Sequence, residues 1–379
     1  MNLAAAVKSD IIVIGAGIAG ASVAAELARD SKVSLLEMES QPGYHTTGRS
    51  AAIFVPSYGP GPIRALTRAS AATFKNPKSD LGVDRILSPR SVVMVAREDQ
   101  LESLQKLKDA VAANTETRDL TGRQVEELVP LMRQNYAAAG MLDVNSYDID
   151  VDTLHQAFLR LFKSGSGSLF TNTRVEGISK TSNEWQIESS TGSFQAPIIV
   201  NAAGAWADDI NSLAGCARIG LVPKRRTMVV VDCPPGVDLS SLPLTADVDE
   251  QFYLKPDAGQ LALSPADETP SPPCDAQPEE LDIAICIDRI EKAFDFPIQR
   301  PKSSWAGLRS FVADGVPVAG FIDDANSFFV LAGQGGYGIQ TSPALSRLAA
   351  AAVRGKPVPT DIADHGIEAS ELSPSRLSP

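Results

Sequence analysis

Three glycines and one acid carry the clearest chemistry in this chain. The run Asp10-Ile11-Ile12-Val13-Ile14-Gly15-Ala16-Gly17-Ile18-Ala19-Gly20 spaces Gly15, Gly17 and Gly20 as G-x-G-x-x-G behind a short apolar stretch. Twenty-two residues after Gly15, Glu37 closes Val33-Ser34-Leu35-Leu36-Glu37. Gly15 permits a tight turn, Gly17 lets backbone N–H groups approach a pyrophosphate, and Gly20 lets a helix pack close to a strand. The positive N-terminal end of that helix then faces the phosphates. A carboxylate at Glu37 suits a ribose diol and would repel a 2′-phosphate. Strand, turn, helix, strand and acid fall in register, which predicts a dinucleotide-binding βαβ unit over roughly residues 8–40. The competing reading is a small-residue helix packed in a core.

Other chemistries find little support. The four cysteines, Cys216, Cys233, Cys274 and Cys286, show no C-x-x-C spacing, and the three histidines, His45, His155 and His365, do not cluster. Neither a metal centre nor a disulfide framework is indicated. A net charge of −12 argues against nucleic acid and anionic membrane surfaces. The apolar run Ile11–Leu27 is broken by three glycines and by Ser22 and Glu26, so it predicts neither a signal peptide nor a membrane span. A cytoplasmic location is expected, and 379 residues suggest two or more domains.

The elements that must position these residues follow from periodicity. Ser91–Ala96 predicts a strand, Glu98 to about Asn114 an amphipathic helix, and Asp152–Ser164 a second helix with its stripe at Leu154, Phe158, Leu161 and Phe162. Arg174–Ser179, Trp185–Ser189 and Ser193–Ala196 are β-rich, and Ile198–Asn201 runs into Ala202-Ala203-Gly204-Ala205-Trp206. This second strand-to-glycine passage suggests that distant segments assemble the nucleotide-binding fold. Thr227–Val231, Gln251–Lys255 and Gln260–Ser264 are strand-like, Pro265–Pro278 with its five prolines reads as a surface loop, and Leu281–Phe294 as a helix. A last helix is expected from Pro343 to Val353, with Ser342 as N-cap, and Ser370–Pro379 as a loosely held tail. The fold class is therefore α/β, a Rossmann-like domain with an inserted β-rich substrate domain.

A set of segments carries a family resemblance: Gly15–Gly20, Gly43-Tyr44-His45-Thr46-Thr47-Gly48-Arg49-Ser50-Ala51, Asn201–Trp206, Trp305-Ala306-Gly307-Leu308-Arg309-Ser310-Phe311 and Gly335-Gly336-Tyr337-Gly338-Ile339-Gln340. Together they resemble the D-amino-acid oxidase superfamily of FAD enzymes, and within it the bacterial D-arginine dehydrogenases, over nearly the whole chain. The resemblance implies residues 1–90, 145–220 and 306–379 as a discontinuous FAD-binding domain, and 91–144 and 221–305 as the substrate domain. It implies noncovalent FAD, since no cysteine follows Cys286 to form the C-terminal link of sarcosine oxidases. Contacts are implied at Gly15, Gly17, Ile18, Ala19, Gly20, Glu37, Ala203, Gly204, Trp206, Gly307, Gly335, Gly336, Tyr337, Gly338, Ile339 and Gln340. Arg49, Ser50 and Ala51 would line the isoalloxazine near N5, and Gly333–Gln340 its N1–C2=O edge, where backbone N–H groups would stabilise developing negative charge.

The resemblance also assigns the substrate. Arg226, Arg309 and Tyr253 would clamp its carboxylate, as a guanidinium fork does bidentately. Tyr58 and the Gly336 carbonyl would hold its amine, with Tyr58 on a Pro- and Gly-rich lid. On residues alone, the lesser readings are Lys224-Arg225-Arg226 as a solvated basic run, Arg49 as a surface arginine and Tyr58 as a loop tyrosine. His45 is as readily structural as catalytic. Ile53, Val92 and Ala246 would form the side-chain pocket. Val92 stands where D-arginine dehydrogenases bind the distal guanidinium with a glutamate, and Ile53 replaces a lid histidine. Unpaired burial of a guanidinium against Val92 would cost several kcal/mol. The expectation is therefore an FAD-dependent dehydrogenase of neutral or hydrophobic D-amino acids. Hydride passes from Cα to flavin N5, and the imino acid hydrolyses to a 2-oxo acid and ammonia. A quinone or redox protein is expected as electron acceptor ahead of oxygen. The alternatives are an N-methyl or cyclic secondary amine, or a 2-hydroxy acid, on the same fold.

Overall fold

The computed structural model describes residues 6–181 and 183–377. Its first sheet has six strands in the order Gly167–Phe170, Val33–Leu36, Ile11–Ile14, Ile198–Asn201, Phe328–Ala332 and Val318–Phe321. The first five run parallel and the last antiparallel. The central strands are continuous apolar runs, as expected where both faces are covered. Ile11 and Val13 face a core shared with the helices Ile18–Leu27, Val151–Ser164 and Gly338–Val353. Ile12 and Ile14 face the opposite core, built with Trp185, Ile187 and Phe194 of a small sheet and with Ile210. Helix Ile18–Leu27 sits close because Gly20 has no side chain: a Cβ there would lie 1.7 Å from the Gly15 carbonyl oxygen.

The parallel arrangement delivers its glycine turns to one place. Ile14, Asn201 and Ala332 all end at the same edge, and each is followed by a Gly-containing turn. Ligands of open α/β sheets bind at this carboxyl edge. The segment Phe328–Gly336, which supplies the third turn, had no strand assigned from its sequence.

A second sheet of nine strands forms the other layer. Its order is Thr269–Pro270, Val222–Asp232, Gln260–Ser264, Tyr253–Asp257, Leu244–Asp247, Val92–Ala96, Ala139–Asp143 and Thr117–Thr121, with Ser303–Phe311 along the other edge of Val222–Asp232. Val222–Asp232 is eleven residues long, against the five expected, because nine of its residues pair with Ser303–Phe311. Its core gathers Val93, Val229, Phe252, Leu254, Ile290 and Phe294.

Three local expectations are corrected. The last helix starts at Gly338, with Pro343 inside it. Proline removes the N–H that would serve the Ile339 carbonyl, and the Ser342 hydroxyl donates to that carbonyl instead, at 3.0 Å. The Pro265–Pro278 loop is not merely superficial: Ala266 and Ala276 are buried, and Asp267 accepts from the Thr227 N–H at 2.6 Å. The tail through residue 377 is pinned, since Leu372 is fully buried and Arg376 pairs with Asp314 at 2.8 Å and donates to the Val316 carbonyl; residues 378 and 379 lie outside the described range. Among the described residues no helix is long and apolar enough to cross a membrane, and no His/Cys/Asp/Glu group could hold a metal.

Candidate active site

The carboxyl edge of the first sheet opens into a cavity of about 440 Å³ that continues to the face of the second sheet, a size typical of small-molecule sites. At the nucleotide end it is lined by Gly15, Gly17, Ile18, Ala19 and Glu37, by Ala203, Gly204 and Trp206, and by Gly335, Gly336, Gly338, Ile339 and Gln340. The turn after Ile14 is built around Glu37, whose carboxylate accepts the Ala16 N–H at 2.7 Å and the Glu39 N–H at 3.0 Å. Burial pushes this carboxyl above its usual range, against the pull of those two donors. Two helix N-termini meet the cavity, at Ile18, whose N–H donates to Thr47 Oγ1 at 2.9 Å, and at Gly338.

Residues 43–53 form the floor between the two sheets. Arg49, Ser50, Ala51 and Ile53 all line the cavity. The Arg49 guanidinium is nonetheless committed elsewhere: it donates to the Ala276 carbonyl at 2.8 Å and the Ala306 carbonyl at 3.0 Å, and pairs with Asp275. It ties the proline-rich loop and the strand Ser303–Phe311 to the floor, so neither a free surface arginine nor a charge held out to a ligand describes it. His45 lines the cavity beside Trp206, with ring centroids 4.8 Å apart and Nε2 3.0 Å from Glu39 Oε1.

At the far end the second sheet contributes two guanidiniums. Arg226 lies opposite Gly307, and Arg309 opposite Lys224, in the antiparallel register. Side chains alternate along strands, so Arg226 and Arg309 share one face as diagonal neighbours, and both line the cavity with Met228 and Tyr253. Gly307 leaves open the space opposite Arg226. Arg226 is 5% exposed, which rules out a solvated basic run; one nitrogen lies 3.2 Å from Glu268 Oε1. Arg225, on the other face, pairs with Glu279 and Asp282. Gly336 abuts Arg309, since a Cβ on Gly336 would lie 2.8 Å from the guanidinium. Burial alone would lower the Arg309 pKa, but Tyr58, Tyr253 and Glu250 hold it above the usual arginine range. Burial, reinforced by Glu250, raises the Tyr58 hydroxyl, so at neutral pH it is a proton-bearing group and not a base. The Tyr253 hydroxyl donates to Met228 Sδ at 2.7 Å.

Four expected residues lie off the cavity wall. Gly20 acts only through helix packing. Tyr337 packs its ring edge-on to Tyr58, at 5.0 Å between centroids. Val92 and Ala246 belong to an apolar cluster with Val55 and Leu244, behind Ile53, Tyr58 and Tyr253. Val92 is 1% exposed because it pairs with Leu244 on one side and Asp143 on the other, which turns it into that cluster. The pocket wall is thus apolar, but Ile53 is the member of the expected trio that meets the cavity.

Several residues went unrecognised in the sequence. His155 is 3% exposed and its Nε2 lies 2.9 Å from the Ala16 carbonyl, fixing the glycine turn from 139 positions away. Burial lowers its pKa. Glu250 and Glu268 reach Arg226. Gln334 lines the cavity, and its Nε2 is buried without a partner, as are Gln340 Nε2, His45 Nδ1 and Arg226 Nε. Buried polar atoms are seldom left unpaired in folded proteins. These orphans, all on cavity walls, together with three glycine turns and Glu37, fit an elongated, hydrogen-bonding dinucleotide at one end and an anion at the other.

Comparison with known proteins agrees with that fit. The profile of the DAO family, described as FAD dependent oxidoreductase, matches residues 10–352. Among curated relatives, glycerol 3-phosphate dehydrogenase of Caloramator mitchellensis is 24% identical over 89% of this chain and 72% of its own. Glycine oxidase of Geobacillus kaustophilus is 24% identical over 94% and 96%. Among solved structures, L-proline dehydrogenase from P. horikoshii superimposes with a TM-score of 0.82 at 21% identity, covering 98% of both chains. Relatives at this distance share the fold while acting on different groups. The chain therefore belongs to the DAO family of FAD-dependent oxidoreductases.

Proposed function

We propose that the chain oxidises the Cα–N bond of neutral or hydrophobic D-amino acids, giving an imino acid that water hydrolyses to a 2-oxo acid and ammonia. The observation that supports this most is the convergence of Arg226 and Arg309 on one cavity face beside Tyr58 and Tyr253. Two guanidiniums and two tyrosines lining one cavity suit a carboxylate, which would fix Cα in one place and orientation. The Gly336 carbonyl and the Tyr58 hydroxyl are the amine contacts in this reading. The side chain rests on Ile53, with Val92 and Ala246 supporting the wall from behind.

FAD, held without a covalent bond by the glycine turns and Glu37, supplies when bound the acceptor for the hydride that leaves Cα. Residues 1–90, 145–220 and 306–379 are assigned to the cofactor, and 91–144 and 221–305 to the substrate. Because the Tyr58 hydroxyl keeps its proton, the substrate amine enters neutral or loses its proton to water. Electrons leave to a quinone or redox protein in preference to oxygen.

The name of the Geobacillus relative, a glycine oxidase, supports a primary amine. L-proline dehydrogenase among the structural neighbours favours a cyclic secondary amine as the second reading. Steady-state kinetics with D-leucine, D-methionine, L-proline, sarcosine and lactate and an artificial dye test the choice. The proposal expects kcat/KM highest for the D-amino acids, and a preference for L-proline, sarcosine or lactate overturns it.

A further inference from the structure

The charge around the two arginines is nearly cancelled, and by residues placed there deliberately by the fold. Glu250 stands at the tip of the turn between Leu244–Asp247 and Tyr253–Asp257, at φ +55°. Side-chain-bearing residues are rarely found in this left-handed region, which suits glycine or asparagine. The turn is held by Asp247, 1% exposed, whose carboxylate accepts from Asp249 N at 3.0 Å, Gln251 N at 3.3 Å and Gln100 Nε2 at 3.0 Å. A firmly built turn therefore carries a carboxylate in a strained position, and outliers of this kind concentrate at functional sites. Glu250 Oε2 lies 3.7 Å from Arg226 Nη2, and Glu268 Oε1 3.2 Å from the same nitrogen. Glu268 also pairs with Lys224 at 2.7 Å. Arg226, Arg309 and Lys224 thus face Glu250 and Glu268, a balance of one positive charge. Arg225, behind the strand, faces two carboxylates, Glu279 and Asp282, and Asp267 holds neighbouring Thr227, so no positive charge is added from that side.

We propose that Glu250 and Glu268 restrict the site to substrates whose carboxylate is their only anionic group, with neutral or cationic tails accepted and a second carboxylate or a phosphate rejected. This rests on the carboxylate-clamp reading of Arg226 and Arg309. One carboxylate can take the donors that Arg226 and Arg309 hold toward the cavity, whereas a second anion would meet the field of the Glu250 carboxylate, 3.7 Å from Arg226 and 47% exposed. Burial raises Tyr58 and Tyr337, and the Glu250 carboxylate adds to both, so its field is felt at these two hydroxyls.

The test uses the FAD-loaded enzyme and three unreactive probes of equal length, pentanoate, glutarate and 5-aminopentanoate, with Kd read from the change in flavin absorbance. Wild type should bind glutarate at least 3-fold more weakly than the other two at low salt. Glu250→Gln should tighten glutarate roughly 3- to 10-fold and weaken 5-aminopentanoate, with pentanoate little changed, as expected for a partly exposed charge 4–8 Å away. Glu250→Asn, which suits the turn better, should do the same, and 0.5 M salt should erase the difference. Pentanoate binding that persists while both variants leave the discrimination unmoved overturns the proposal alone. Absence of binding by any of the three carboxylates overturns the clamp reading and the proposal with it.

Discussion

Replacing Val92 by glutamate separates two pictures of the substrate pocket. In D-arginine dehydrogenases a glutamate at the corresponding place binds the distal guanidinium, which from sequence alone predicts that Val92→Glu would recruit D-arginine. The fold predicts a different outcome. Val92 is 1% exposed, packed with Val55 and Leu244, and screened from the cavity by Ile53, Tyr58 and Tyr253. Across the strand pair it faces Asp143, itself 1% exposed, whose carboxylate already accepts from Asn145 N at 3.0 Å and Ser57 N at 3.2 Å. A new carboxylate there enters an apolar cluster with a like charge, Asp143, beside it. An uncompensated buried charge costs about 3–5 kcal/mol, which for a chain of this length unfolding as one unit lowers Tm by about 4–6 °C. Desolvation raises the pKa of the introduced carboxyl, so the folded protein binds its proton more tightly than the unfolded chain does. The penalty is therefore absent below the unfolded value of about 4.3 and grows by about 1.4 kcal/mol per pH unit until the folded pKa is passed. Thermal melts followed by release of FAD fluorescence should show the loss at pH 8 and much less of it at pH 5, with Val92→Leu as the volume control. The Tyr58 loop, tied to Asp143 through Ser57 N, should loosen, raising KM for every substrate. A variant as stable as wild type at pH 8, with kcat/KM for D-arginine raised 10-fold or more, would show that residue 92 meets the substrate and refute the reasoning.

The remaining predictions concern the cofactor turn and the clamp. Arg309→Ala should cost about 2–5 kcal/mol of kcat/KM, tens- to thousands-fold, and unchanged kinetics would place Arg309 outside the site. Gly336→Ala should push on the Arg309 guanidinium and lower kcat/KM by roughly 10-fold or more with Tm nearly unchanged, measured by steady-state kinetics beside a thermal melt. His155 is buried with a lowered pKa, so protonation favours the unfolded state and stability falls as pH drops below about 6.5. His155→Gln, which retains an N–H for the Ala16 carbonyl, should flatten that part of the stability–pH profile, as read by denaturant melts. Acid precipitation should release FAD into the supernatant, and flavin staying with the pellet would mean a covalent bond.

The fold class and a dinucleotide site were legible because local chemistry specifies them, while FAD followed from the family resemblance. Gly15, Gly17, Gly20 and Glu37 sit in one short segment, and apolar runs such as Ile198–Asn201 mark buried parallel strands almost to the residue. The strand Ser303–Phe311 was hidden because one face lines a cavity, so its residues alternate Arg309 and Gly307 with buried Ala306 and Leu308 in place of a plain apolar pattern. The start of the last helix was masked by Pro343, whose cost is met by a serine hydroxyl that no local rule anticipates. Val92 looked like a pocket residue because its neighbours in sequence align with one; only the pairing with Leu244 and Asp143 shows which way it turns. Glu250, Glu268 and His155 act on residues far along the chain, at Arg226 and Ala16, and sequence spacing holds no trace of those contacts.

The central claim is that Arg226, Arg309 and Tyr58 present an amino acid carboxylate and amine to bound FAD. The most direct measurement mixes the FAD-loaded enzyme anaerobically with each of D-leucine, L-leucine, L-proline and D-lactate and follows the flavin absorbance near 450 nm. The account predicts rapid bleaching with D-leucine, lost in Arg309→Ala, and at least 100-fold slower bleaching with the other three. Bleaching by L-proline or D-lactate with D-leucine inert would contradict it.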